Sequence, residues 1–531
     1  MRLLTKAIQL FLLLFSFYSF AFSQQQDDLT PKKTKVYLEY ADMQLYNKDL
    51  GADRHVLVGN VRFRHDSLFM YCDSAYLFEQ TNSLEAFGTV RMEQGDTLFL
   101  FGNYLFYNGE IQLAQMRENV RMESIQTDSS IVTLFTDSLN YDRIANIGYY
   151  FEGGLIVDQE NELSSFYGQY SPGTKLAVFN DSVQLKNPNF ILYSDTLHYS
   201  TESKIAIILG PSTIVSDSGT VYTSRGWYDT AENTSLLLDR SQVVSGNRIL
   251  IGDSIAYNQN AGIGEAFGNV FLQDTAQKII LEGEYGLYKE KEEYAFVTRR
   301  ARSMEYSQGD TLYIHADTFE MTTIDSTARE LKAYHHVRFY RTDLQGVCDS
   351  MQFNTKDSVL QMYTDPVVWN EAYQLYGDTI LVYMNDSTVD FAHVIQFAFA
   401  IQHIDSSYYN QLKGNDLKAY FENQAVRQID IDGNAETIFY PLEEDNTMIG
   451  MNETKSSYLS IWVKDNKLEK LKIWPQPQGK ITPLPELQSE QKTLKDFYWY
   501  DYLRPTDKDD IYRRAERKTE DQPKRSNKFV Y

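Results

Sequence analysis

Very little in this 531-residue chain points to covalent or metal chemistry. It has two cysteines, Cys72 and Cys348, so it has no disulfide framework. Eight histidines, His55, His65, His198, His315, His335, His336, His393 and His403, are scattered without metal-ligand spacing to Cys or acidic partners. The adjacent His335 and His336 would point to opposite faces of a strand, which speaks against a shared zinc. Gly-rich phosphate loops are missing, and helix signals are nearly so. After the first twenty-odd residues no apolar run approaches the roughly 20 residues needed to span a bilayer as a helix. Basic charge is also scarce: 50 Lys and Arg stand against 73 Asp and Glu, a net charge of -23. Such a balance excludes a nucleic-acid partner and favours solubility. No cofactor and no metal are expected, and no catalytic residue is assigned.

What is present begins with an export signal. Arg2 and Lys6 precede an apolar stretch, Ala7 to Phe20, and Ala21-Phe22-Ser23 fits a small-x-small cleavage site. Residues 1–23 are read as a signal peptide and 24–35 as a lead-in. The mature chain is expected outside the cytoplasm.

Internal repetition dominates the rest. Tyr141, Tyr170, Tyr199, Tyr228 and Tyr257 follow one another at intervals of 29 residues. Around them recurs Asp-Ser/Thr-apolar-x-aromatic, as in Asp137 to Tyr141, Asp195 to Tyr199, Asp253 to Tyr257 and Asp349 to Phe353. A period of this length marks a solenoid, propeller or array. Interleaved with it is a turn residue leading into a valine strand: Gly59-Asn60-Val61, Gly88-Thr89-Val90, Glu118-Asn119-Val120, Gln242-Val243 and Gly268-Asn269-Val270. Turn formers such as Gly95-Asp96 and Asn108-Gly109 lie between, so each unit reads as two long strands joined by tight turns.

The fold expected is all-β: an elongated antiparallel β-jelly-roll or β-solenoid prism built from units of about 29 residues, over 36–404. Hairpin turns inside every unit argue against a parallel β-helix. Mid-strand glycines such as Gly59, Gly88, Gly102 and Gly268 suggest that long strands bend there from one sheet into another. From 405 to 505 the Asp-Ser core is lost while strand-like alternation persists, which reads as a terminal continuation or cap. Residues 506–531 read as a charged, mobile tail. Cys72 and Cys348 each precede the anchor aspartate of their own unit, Asp73 and Asp349, many units apart, and are expected as free buried thiols.

The anchor aspartates recur in nearly every unit, whereas a catalytic pair is needed once. They are therefore read as satisfying bend and turn backbone groups rather than as cleaving polysaccharide or holding calcium. The tyrosines are read mainly as an aromatic ladder sealing neighbouring strands. The apolar residues two positions earlier, Leu139, Leu197 and Ile255, are better placed to face the interior.

The repeated Gly-Asn-Val and Asp-Ser-Leu-x-Tyr units, with Ala86-Phe87-Gly88 and Ala266-Phe267-Gly268, resemble the OstA-like family over roughly Val36 to His403. These are periplasmic lipopolysaccharide-transport proteins, LptA and the N-terminal domain of LptD. The resemblance implies a periplasmic, non-enzymatic bridge whose apolar groove shields acyl chains during transport to the outer membrane. Its groove lining would be Val61, Val90, Leu98, Leu100, Val120, Leu139, Val183, Leu197, Val243, Ile251, Ile255 and Val270. It implies lipopolysaccharide as ligand, strand addition at the sheet ends to inner- and outer-membrane components, and end-to-end self-association. The alternative is a structural or adhesive cell-surface β-solenoid with a filled interior. The chain departs from the family's short form by its many units and by its extension from Asp405 to Tyr531, and from LptD by lacking membrane-barrel strands.

Overall fold

The computed structural model describes residues 34–46 and 54–518, except 218, 308, 326–327, 386–387, 406, 423–424, 444–446 and 465–466. The signal peptide and nearly all of the lead-in lie outside the described residues.

Every pairing between described strands is antiparallel, and most join sequence neighbours. Leu98–Asn108, for example, lies between Ser83–Gln94 and Leu113–Ile125. Its sequence, LFLFGNYLFYN, alternates buried with half-buried side chains, which is the signature of a strand with one face on a core. This antiparallel succession excludes a parallel β-helix.

Alternate long strands are broken at mid-length by a two-residue bulge. Left-handed backbone occurs at Gly59 and Asn60, at Glu118 and Asn119, at Asp181 and Ser182, at Gly268 and Asn269, and at His335 and His336. The pairing register shifts at each of these places, for instance between Val58 and Val61 and between Phe267 and Val270. Such bulges bend a strand sharply, so each long strand becomes two half-strands contributing to two facing half-sheets. The mid-strand glycines mark only some of the bends. Gly102, unlike Gly88, has no left-handed backbone; it lies across the ladder from Val90, where a Cβ would come within 3.2 Å of Met116 Cε.

The anchor aspartates stabilise the bulges. Asp73 Oδ2 accepts the Thr89 N–H at 2.8 Å and Asp253 Oδ2 accepts Asn269 Nδ2 at 2.7 Å; Asp416, which lies beyond the recurring motif, does the same through Oδ1 for the Gln396 N–H at 3.0 Å. His336 Nδ1 lies 2.7 Å from Asp317 and His335 Nδ1 lies 3.3 Å from Asp349. Gly88 combines a φ of +93° with an approach so close that an added Cβ would lie 2.2 Å from Asp73 Oδ2.

The chain divides into two compact units, the first comprising 1–154 and 169–174, the second 155–168 and 175–531. The first has a closed interior in which Leu57, Phe63, Leu84, Leu105, Met116 and Leu139 are fully buried. In the second, strands continue through Tyr408–Glu422, Ala425–Phe439, Gly450–Lys464, Lys467–Trp474 and Gln478–Pro483. Cys72 in the first unit and Cys348 in the second are free and buried. Burial pushes the Cys72 thiol up to about 12 and raises that of Cys348 further.

Beyond Pro483 the chain turns back as an irregular strap over the strands of the second unit. Buried glutamines clamp its backbone. Gln411 Oε1 accepts the Leu494 N–H at 2.8 Å and its Nε2 donates to the Lys492 carbonyl at 2.7 Å. Gln374 does the same for the Tyr500 N–H and the Tyr498 carbonyl, both at 2.8 Å. Leu494, Tyr500 and Leu503 join Trp369, Phe399 and Ile438 in one apolar cluster. Residues 506–518, expected as part of a mobile tail, are held as well. Arg514 reaches Asp317 at 3.3 Å, Arg517 donates to the Tyr500 hydroxyl at 3.1 Å, and Tyr512 packs on His315. Their charges therefore find partners on the fold, a pairing that composition alone does not reveal.

Candidate functional site

The tyrosine series lies in the interior, which corrects its reading as a ladder between strands. Each ring is flanked across the ladder by small residues: Tyr141 by Ala114 and Gly148, Tyr199 by Ala177 and Ala206, Tyr228 by Ala206 and Ser235, Tyr257 by Ser235 and Gly264. Gly148, Ala177, Ala206, Ser235 and Gly264 form a companion series seven residues after the tyrosines. The small neighbours leave each ring room to lie against the core.

The partners of the hydroxyls change along the series. In the first unit they bridge to residues at the ends of the opposing half-strands. Tyr107 pairs with His65 Nδ1 at 2.6 Å, Tyr141 donates to Gln94 at 3.1 Å, and Tyr170 accepts from Gln126 at 3.1 Å. Tyr199 in the second unit donates to Asp158 at 2.8 Å, and Asp158 also holds Lys204 Nζ at 2.7 Å. Burial raises the Tyr141 and Tyr199 phenols well above their usual value. From Tyr228 onward the bridge is gone. Tyr228 donates to Gln259 and Tyr257 to Glu290, both in neighbouring turns.

Exposure follows the bridges. Tyr141, Tyr170 and Tyr199 are at most 1% exposed, Tyr228 is 7% exposed and Tyr257 is half-buried. One strand further, Tyr288 pairs with Gly264 and is 39% exposed. Its row continues in register through Ala295, Met321, Leu331, Phe353 and Leu360, all half-buried. The facing half-sheet shows the same change. Val243, Leu250, Leu272 and Leu281 pair in sequence and are half-buried. The corresponding row in the first unit, Met92, Leu100, Met122 and Leu134, is 1% exposed throughout. Between these walls, Ile255, Ala266, Val297 and Ala333 form a buried floor. The second unit thus carries an apolar trough, opened where Gly286 and Ser303 occupy rows that hold Leu105, Met116 and Leu139, and Leu100, Met122 and Leu134, in the closed part.

The residues expected to line a groove separate into four groups. Val61, Val90, Leu98, Leu100, Val120 and Leu139 lie in the closed interior of the first unit, none above 3% exposed. Val183, Leu197, Ile255 and Val270 are equally buried in the second, the last two in the trough floor. Val243 stands in the trough wall. Ile251 pairs with Gln242 and Phe271 on the opposite face of its sheet. The valine motif is out of step here: the bulge falls at Asp239 and Arg240, so Ser241 takes the valine slot. Leu250, Leu272, Leu281, Met321 and Phe353 were not singled out by sequence. Their cross-strand partners are mostly large, only Ala295 beside Met321 and Ser303 beside Leu281 being small, so little in the sequence marked them.

Among the described residues, no group of three or more His, Cys, Asp or Glu is arranged to hold a metal ion. No described helix is long and apolar enough to cross a membrane. The described strands define an antiparallel β-jelly-roll protein with an apolar interior. Residues 33–195 match the family model described as OstA-like protein. Among solved structures the chain is similar to LptH, the LptA homologous periplasmic component of the conserved lipopolysaccharide transport device from Pseudomonas aeruginosa. That likeness has 14% identity and a TM-score of 0.15, covering 26% of this chain and 79% of the other. No curated protein matches the chain.

Proposed function

We propose that this protein is a non-enzymatic periplasmic bridge that shields the acyl chains of a lipopolysaccharide-type glycolipid on its way to the outer membrane. The observation that carries this reading is the half-exposed apolar trough of the second unit, with Leu272 and Leu281 on one wall and Met321, Leu331 and Phe353 on the other. Its walls present hydrocarbon to hydrocarbon, and each methylene taken from water contributes about 0.8 kcal/mol. The acidic balance of the chain is tolerated if phosphates and sugars remain in water outside the trough. Inner- and outer-membrane transport components would join by strand addition at the sheet ends, and copies of the chain could join in the same way.

Photoreactive side chains placed at Phe353 and Leu281 are expected to crosslink lipopolysaccharide. The same group at Leu139, in the closed interior, is expected to give at least tenfold less product. Equal labelling at all three positions, or none, would overturn the reading. The closed interior of the first unit favours a narrower second role for that part alone, as a structural extension that carries no ligand.

A further inference from the structure

The last strands of the second unit differ in charge from the rest of the chain. Residues 464–480 hold five lysines against two acids, in a protein whose net charge is -23. Lys470 pairs across the ladder with Trp462, and Lys472 with Ser460. Their ammonium groups lie over aromatic faces, Lys470 Nζ 4.7 Å from the Trp462 ring centre and Lys472 Nζ 4.4 Å from that of Trp474. Trp474 in turn stacks on Tyr458 at 5.5 Å. Among the described residues, no carboxylate lies within ion-pair distance of Lys464, Lys470, Lys472 or Lys480, unlike Lys455, which contacts Glu436 and Glu453.

The other face of the same strand is apolar. Leu471 pairs with Ile461 and Ile473 with Leu459, continuing the trough wall and floor to the edge of the sheet. There the apolar groups come into the open: Leu468 is 54% exposed, Leu471 47% and, on the adjoining strand, Ile481 69%. Unpaired lysines, tryptophans and exposed aliphatic side chains thus meet on one edge. This is the combination that suits a membrane interface, where aromatic rings sit at headgroup level and ammonium groups meet lipid phosphates.

We infer that the edge formed by Gly450–Lys464, Lys467–Trp474 and Gln478–Pro483 docks on the surface of an anionic phospholipid bilayer. Lys470 and Lys472 engage headgroup phosphates, Trp462 and Trp474 sit at the interface, and Leu468, Leu471 and Ile481 insert. The inference deepens the proposed function by setting the end of the trough against a membrane, but the binding it describes needs no trough ligand. A plainer role for edge lysines is to stop the exposed strand from pairing with another chain.

The test is sedimentation of the mature chain with vesicles of phosphatidylcholine, with or without phosphatidylglycerol. Binding to phosphatidylglycerol vesicles is expected, falling with salt and reduced roughly tenfold or more in K470E/K472E. Tryptophan emission should shift to the blue on binding. K470Q/K472Q gives a milder loss and guards against misfolding of the reversal variant; the melting temperature of both is measured alongside. Absence of binding, equal binding to both kinds of vesicle, or unchanged binding by both variants overturns the inference. So does a variant that self-associates more while binding vesicles as before, which would assign the lysines to edge protection. Crosslinking at Phe353, carried out without vesicles, reports on the trough separately.

Discussion

At the scale of single residues, the same residue type does different work according to what stands opposite it. Tyr199 and Tyr257 occupy equivalent places in the repeat, yet one hydroxyl reaches a fully buried Asp158 and the other a turn glutamate at 3.4 Å. Removing the first leaves a buried carboxylate short of a donor, a loss of about 1–3 kcal/mol. Tyr199→Phe is therefore expected to lower the unfolding midpoint in urea clearly, while Tyr257→Phe changes it by less than about 0.5 kcal/mol in equivalent free energy. Gly88→Ala meets both a left-handed φ and Asp73 Oδ2, and should cost about 1–3 kcal/mol. Asp73→Ala in the same chain is expected to restore part of that loss, a non-additivity that a double-mutant cycle would measure. The two thiols are expected to be silent: a thiol-reactive chromogen at pH 8 should count none in the native chain and two after denaturation.

Elements were legible from sequence wherever their cause was local. Alternation in LFLFGNYLFYN and the turn at Asn108-Gly109 specify a strand and its end, and Gly-Asn-Val marks a bend that the structure realises as a bulge. The bulge at His335 and His336 carries neither glycine nor a motif copy and was hidden, while that at Glu118 and Asn119 was marked only by the valine that follows it; both lie beside cross-strand aspartates, Asp317 and Asp349 in the first case and Asp137 in the second. The strap was hidden for a related reason. Its charges and prolines read as tail, while its partners, Gln374 and Gln411, lie more than a hundred and about eighty residues away and look unremarkable in their strands. Gln374→Ala would remove its hydrogen bonds to the Tyr500 N–H and the Tyr498 carbonyl, at about 0.5–1.5 kcal/mol each. Limited trypsin digestion should then cut at Arg513 and Arg514 several-fold faster than in the native chain, with the strands before Pro483 left intact.

For the whole molecule, the groove was legible in kind but not in place. Apolar residues facing inward follow from the period, whereas the change from closed to open coincides with the loss of a phenol's partner across the interior, which spacing does not show. Acid should act on the whole chain through three histidines. His65, His315 and His393 are all lowered from 6.5, chiefly by burial. A lowered histidine binds fewer protons folded than unfolded. Stability is therefore complete above the unfolded value of about 6.5 and falls as pH drops below it. Urea midpoints measured from pH 7.5 to 5 should decline over this window, and His65→Gln should flatten part of the slope.

The bulged strand also has a mechanical meaning. Both walls of the trough are made from the same lengths of chain, so neither can slide away from the other, and the gap can widen only by flexing at the bulges. Each bulge is tied by the backbone ladder to those before and after it. A load that spreads the walls at one hairpin is therefore shared by its neighbours, and the trough should yield over several hairpins together, as a spring hinge running along the stack.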